Sequence, residues 1–313
     1  MIRYLIRRAL LALPTLLAML TVVFLLARVV PGDPAQVVLG DQATPEALAA
    51  LRERLGLDRP LAVQYLDFVG GVLRGDFGTS LTTGRSVVAE VAAVLPYTLD
   101  LTLSALAIGV LLGVPLGILA AVRRNAWPDY VTRVLSLVGL SFPAFVSGIL
   151  LLLAFAIQTP WFPVIGAAAL DDPGGRLHAL VLPALNLGLI MTAYVTRVTR
   201  SSMLGVLGED FVRTARAKGV SRRALVWRHA LPNALIPVVT VVGLYLGTLI
   251  GNSVLTEIVF SRPGLGKLIL SAISMRDYTL LQGIMVIFAA CVIAANTLTD
   301  LVYGLIDPRV TYA

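Results

Sequence analysis

Leu101–Val122 reads LTLSALAIGVLLGVPLGILAAV, 22 consecutive residues without a charge. At 1.5 Å per residue, a helix of about 20 residues crosses the roughly 30 Å hydrocarbon core of a bilayer. The run is continuously apolar and does not alternate in period two, so it reads as a membrane helix and not as a barrel strand. Four similar runs are Ala9–Ala27 with 19 residues, Leu177–Thr196 with 20, Ala230–Thr256 with 27 and Tyr278–Thr299 with 22. A sixth, Val134–Leu170, is interrupted by Thr159, Pro160 and Pro163 and reads as one helix followed by an irregular re-entry into water. The expected fold is therefore all-α, with six transmembrane helices.

The whole-chain composition agrees. Of 313 residues, 58% are hydrophobic and 14% charged, against about 25% charged in a soluble domain. That leaves too few charges to cover a water-facing surface. Arg3, Arg7 and Arg8 ahead of the first run resemble a signal peptide, but 19 apolar residues exceed an ordinary signal core and no small-x-small site follows. An uncleaved first span is the better reading. Cys291 is the single cysteine, so the chain holds no internal disulfide and no cysteine-based metal site.

The net charge of +7 acquires meaning once it is divided by side. Six spans put both termini on one side, where 15 basic residues face five acidic ones; the other side has 10 basic and 13 acidic residues. Net charges of +10 and −3 place both termini in the cytoplasm by the positive-inside rule. Read this way, the basic excess is topology and gives no support to nucleic-acid binding.

Three regions follow: residues 1–28, with the cytoplasmic N-terminus and first span; 29–100, an external connection; and 101–313, a core of five helices. Within the connection, Thr44-Pro45-Glu46 predicts a capped helix start, with Gly56 ending that helix near Leu55. The connection reads either as a lid over helix ends or as a docking surface for an external partner. The second large connection, 197–233, is cytoplasmic and carries eight of the 15 basic residues. Acids at its start and Arg213, Arg216 and Lys218 near Gly219 suit a short helix ended by a left-handed glycine. Ser221 then opens a second helix, expected to stop at Pro232, with Asn233 opening the fifth span. The basic residues there fit either contact with anionic lipid or docking of a partner.

Several chemistries are missing. Pro263-Gly264-Leu265-Gly266-Lys267 lacks the spacing of a phosphate-binding loop, so the sequence shows no nucleotide site. The two histidines, His178 and His229, fall on opposite sides and make no metal cluster. Asp100, Glu257, Asp277 and Asp300 lie at span ends, whereas ion-coupled carriers place ionisable groups within the membrane. The spans do carry small residues every four positions, at Gly109, Gly113 and Gly117 and at Gly243, Gly247 and Gly251, which lets helices approach closely. Asn252 and Asn296 are candidate polar residues of a solute pathway.

The cytoplasmic connection resembles the EAA motif of ABC importer permeases, with Ala215, Gly219, Leu231 and Pro232 at matching positions. Arg213 stands for the motif's glutamate, Thr214 for its first alanine and His229 for its isoleucine. Those departures are similar to the dipeptide/oligopeptide/nickel branch, as are Arg7-Arg8, Pro31-Gly32-Asp33-Pro34, Leu55–Leu61, Gly75–Ser80, Arg276-Asp277 and Asp307-Pro308-Arg309. The resemblance spans the whole chain. It implies the type I importer permease architecture in a bacterial or archaeal inner membrane. Its implied partners are a second homologous permease, two cytoplasmic ATPases that bind ATP and Mg, and an external solute-binding protein. No cofactor would be bound by this chain itself. Phe211, Arg213, Thr214, Ala215, Arg216, Ala217, Lys218 and Gly219, with Leu231 and Pro232, would form the segment that seats on an ATPase. The alternative is a self-sufficient six-helix channel or carrier; it needs a polar pore stripe or a coupling acid, and the spans show neither.

Overall fold

The computed structural model describes residues 13–25, 34–40, 43–166 and 171–306. In chain order the helices are α1 (Leu13–Leu25), α2 (Pro34–Leu39), α3 (Pro45–Arg54), α4 (Leu61–Leu73), α5 (Val87–Val122), α6 (Trp127–Ser141) and α7 (Ala144–Leu152). They continue as α8 (Pro173–Leu207), α9 (Asp210–Ala217), α10 (Arg222–Ala224), α11 (Leu231–Val259), α12 (Leu265–Ser274) and α13 (Tyr278–Ile306). The chain divides into two compact units: residues 1–96 with 264–293, and residues 97–263 with 294–311.

In the first unit, Val87 and Val91 of α5, Leu265 and Ala272 of α12, and Leu280 and Ile284 of α13 form the buried core. Asp277 organises its polar edge. Its Oδ1 accepts from the Leu280 amide at 2.9 Å, capping α13, while its Oδ2 accepts from Ser80 Oγ at 2.6 Å and from the Thr82 amide at 3.1 Å. The turn-rich Gly75–Ser80 stretch is thus pinned by a residue 197 positions away from Ser80. The capped start at Thr44 forms as the sequence predicts: its hydroxyl accepts from the Ala47 amide at 3.2 Å. Gly56 follows the helix end at φ +66°.

In the second unit α8 is central, and its buried side chains face several sides, as expected of a helix surrounded by others. Leu180, Ala184, Leu187, Met191 and Val195 meet Leu101 and Ala105 of α5 and Val238 and Leu249 of α11. In lipid, helices gain little by hiding apolar side chains from each other, so close contact must carry the association. The glycines of α5 supply it. A Cβ at Gly109, Gly113 or Gly117 would lie 2.6 Å from Met191 Cβ, 2.6 Å from Val195 Cβ and 2.5 Å from Thr199 Cβ respectively. Two stripes of period four, on α5 and on α8, therefore interlock.

The expected six spans include the first run, of which only Leu13–Leu25 is described; among the described residues four helices are long and apolar enough to span, or up to five if the bent pair of α6 and α7 is one span. The Val134–Leu170 run is not one straight helix. Pro143 disfavours helical geometry at Phe142, which sits at φ −90° and ψ 131°, and α6 turns by 100° into α7 and its π-helical extension Leu153–Gln158. Helix α5 begins at Val87 and runs through Asp100 without a break. Charge does not end a helix when the charge is paired, as Asp100 is with Arg176.

A further change concerns Pro232. No stop occurs there: α10 runs through a π-helical turn, Leu225–Ala230, into α11. Leu231 donates to the Val226 carbonyl five residues back, so the register has already shifted when the chain reaches proline. The missing N–H of Pro232 then forfeits one bond. The Asn233 side-chain amide satisfies the His229 carbonyl at 2.9 Å.

Candidate functional site

The 197–233 connection becomes a short exposed helix held on a packed base. α8 continues past Thr196 to Leu207, and α9 follows after Gly208 and Glu209. Val212 is the buried anchor of α9, while Phe211 is 44% exposed and Arg213, Thr214, Arg216, Ala217 and Lys218 face outward. Ala215 is half-buried. Asp210 stands in the first turn and Arg216 in the last, which suits the helix dipole. Arg213 lies 3.5 Å from Asp210, both well exposed, and such a surface pair holds little. Its guanidinium remains available to a partner.

Gly219 ends α9 at φ +78°. The Gly219 amide donates to the Arg216 carbonyl at 3.0 Å and the Val220 amide to the Ala215 carbonyl at 3.2 Å. This paired closure requires the left-handed conformation that glycine takes without penalty. Ser221 Oγ accepts from the Ala224 amide at 3.4 Å and starts the next helix. The turn between α9 and α10 is thereby fixed at both sides.

Beneath it lies a core of Ile118 and Ala121 from α5, Met203 from α8, and Val226, Ala230, Leu231 and Ala234 from the α10–α11 helix. Leu231 thus belongs to the support, whereas Pro232 is exposed. Ser202 Oγ donates to the Ala234 carbonyl at 2.8 Å across the same junction. Arg200 is also internal: it pairs with the fully buried Asp129.

The remaining predicted residues disperse. Gly243 is closed by α13, with Thr299 Cβ 2.8 Å from where a Cβ would stand. Gly247 is half-buried, and Gly251 has open space around it. Asn252 is exposed on α11 and Asn296 half-buried on α13; the two do not form a cluster with α9.

Two polar groups escaped the sequence reading. Asn186, buried mid-α8, accepts from Ser147 Oγ at 2.7 Å and donates to the Ala144 carbonyl at 2.9 Å, fixing α7 beyond the bend. Just past the end of α11, beside the start of α8 and the Tyr97–Asp100 stretch of α5, Arg262 is wholly buried. Its Nη2 lies 3.7 Å from Asp100 Oδ2, Nη1 donates to the Gly166 carbonyl at 3.4 Å, and the guanidinium covers Tyr97 at 5.4 Å. Burial pulls its pKa below the usual arginine range, opposed by the charges of Asp100 and Glu257. Thr98 Oγ1 donates to Glu257 Oε1 at 2.6 Å. Those acids neutralise arginines within the chain. Only a hydrophobic interval in sequence hinted at this, since charges of opposite sign far apart give no local signal.

Comparison with known proteins agrees with this architecture. The model of the binding-protein-dependent transport system inner membrane component matches residues 113–312, and that of the family's N-terminal region matches residues 1–102. The chain is 43% identical over 312 residues to the glutathione transport system permease protein GsiC of Salmonella choleraesuis (strain SC-B67), covering 100% of both chains. It is 40% identical over the same length to GsiC of Escherichia coli (strain K12). Among solved structures, an inward-facing MetNI methionine ABC transporter aligns with TM-score 0.58 at 20% identity, over 69% of this chain and 96% of that one. An amino acid ABC transporter aligns with TM-score 0.53 at 18% identity, over 70% and 94%. The chain belongs to the binding-protein-dependent transport system inner membrane components, as a multi-pass permease of the ABC importers in the dipeptide/oligopeptide/nickel branch.

Proposed function

We propose that this permease moves short peptides, glutathione among them, across the inner membrane by alternating access, driven by ATP hydrolysis on separate subunits. The observation that carries the reading is identity of 43% along the full chain to a permease named for glutathione transport. In this reading both termini are cytoplasmic, and α9 is the coupling helix. Phe211, Arg213, Thr214 and Arg216–Gly219 seat in an ATPase cleft; Ala215 and Val212 hold the helix to its base; Leu231 transmits the push into α11. ATP and Mg sit on the partner ATPases, not on this chain. A second permease completes the path, and the external connection receives a solute-binding protein.

The test is reconstitution with the two ATPases, the second permease and the binding protein. ATP-dependent uptake of radiolabelled glutathione or a dipeptide is the expected result. Uptake of nickel alone would move the substrate class within the branch. Solute flux through the isolated chain, without ATPases, would favour the self-sufficient channel or carrier instead.

A further inference from the structure

A cavity of about 600 Å³ opens between the last turns of α5 and the start of the α10–α11 helix. Its floor is apolar, including Ile118 and Val226, and its rim is Arg123, Arg222, Arg223 and Trp227. Among the described residues, no carboxylate pairs with any of these three guanidiniums, and no acidic residue lines the cavity. Arg222 spends one N–H on the Val122 carbonyl at 3.1 Å, tying the two helices together. Arg123 and Arg223 are exposed, and the Trp227 ring is 55% exposed. The apolar floor also continues outward along α5: Leu111 and Leu112, one turn before Pro115, are 72% and 45% exposed.

We propose that this cavity binds an anionic phospholipid of the cytoplasmic leaflet, phosphate against the arginines and acyl chain along α5. The inference rests on the orientation proposed above, which places α9 and this cavity at the cytoplasmic surface. Two features select a lipid over an acidic protein segment. Unpaired arginines at a helix junction supply the charge that attracts anionic headgroups. The apolar floor joins the exposed Leu111 and Leu112, which an acidic peptide would leave uncovered. Trp227 stands at the boundary between them, where amphipathic rings accumulate in membrane proteins. The cytoplasmic basic residues thus serve two ligands: those of α9 face a protein, and those of the α5–α10 junction face the bilayer.

The experiment uses the full chain with Trp127→Phe and Trp161→Phe, leaving Trp227 as the single indole. It is reconstituted in phosphatidylcholine vesicles containing about one tenth brominated-chain phosphatidylglycerol or, in parallel, brominated-chain phosphatidylcholine. Quenching of Trp227 is expected to show a preference of about tenfold or more for phosphatidylglycerol. R123Q/R223Q, which keeps the Arg222 bond, is expected to abolish the preference while quenching by brominated phosphatidylcholine stays unchanged, showing intact insertion. Equal quenching by both lipids, or a preference that survives in the double variant, overturns the proposal. Co-purification of the ATPases separates the two readings. R123Q/R223Q should leave it intact; if the ATPases are lost instead and no lipid preference is seen, the cavity belongs to the protein interface and the lipid assignment fails.

Discussion

Arg200 grips Asp129 at two points, Nε to Oδ1 at 2.6 Å and Nη2 to Oδ2 at 2.9 Å. The Asp129 side chain is fully buried, and the Asn125 amide adds a third bond to Oδ2 at 2.9 Å. The fork ties the start of α6 to the stretch of α8 that leads into α9. A load applied at α9 therefore meets a braced helix, which suits a segment proposed to transmit motion.

Asp129→Ala should destabilise the chain by about 3 kcal/mol, because it leaves the Arg200 guanidinium without its counter-charge in a mostly enclosed site. Arg200→Lys keeps the charge but loses the planar fork and should fall between. Thermal unfolding in detergent, followed by tryptophan emission, reads both. Wild-type stability in Asp129→Ala would contradict the bracing role.

Glycine substitutions should divide by contact. Gly117→Val drives a branched side chain against Thr199 and the Thr196 carbonyl, 2.5 Å and 2.8 Å from the added Cβ, and should lose about 1–3 kcal/mol or more. Gly251→Ala meets nothing within 4 Å and should change the isolated chain's stability by less than about 0.5 kcal/mol. Equal losses at the two positions would refute the interlocked α5–α8 stripes.

Gly219→Val forces a β-branched residue to φ +78°, a backbone penalty of about 1–2 kcal/mol with no steric clash beside it. Expression and membrane insertion should persist while ATP-driven uptake is abolished. Gly219→Asn tolerates the left-handed region and should retain most transport. Uptake at the wild-type rate in Gly219→Val would remove the coupling role from this turn.

Arg213→Glu reverses a charge that is outward-facing and only loosely held by Asp210. Recovery of the ATPases by co-purification should fall severalfold at low salt and less at high salt, since rim charges act largely through screened attraction. Unchanged recovery would mean that α9 docks by shape alone.

Much of the molecule was legible from local pattern. Uncharged runs such as Leu101–Val122 announced the spans, since lipid demands about 20 apolar residues whatever surrounds them. Thr44, Gly56, Gly219 and Ser221 announced helix ends, because caps depend on a few neighbouring backbone groups. Gly109, Gly113 and Gly117 announced a close contact without naming its partner.

What the chain left to its tertiary structure is every choice among equal local signals. Arg200 and Arg213 read alike in sequence, yet one is consumed by Asp129 71 positions away and the other faces out. Pro143 breaks its run by 100°, whereas Pro232 is carried through a π-helical turn whose register Asn233 helps to close. Arg262 looks like a loop charge until Asp100 and Tyr97 enclose it. The physical reason is the same in each case. Apolar length and backbone caps are properties of neighbours in sequence, while the fate of a charge or a lost hydrogen bond depends on which distant group folding brings within about 3 Å.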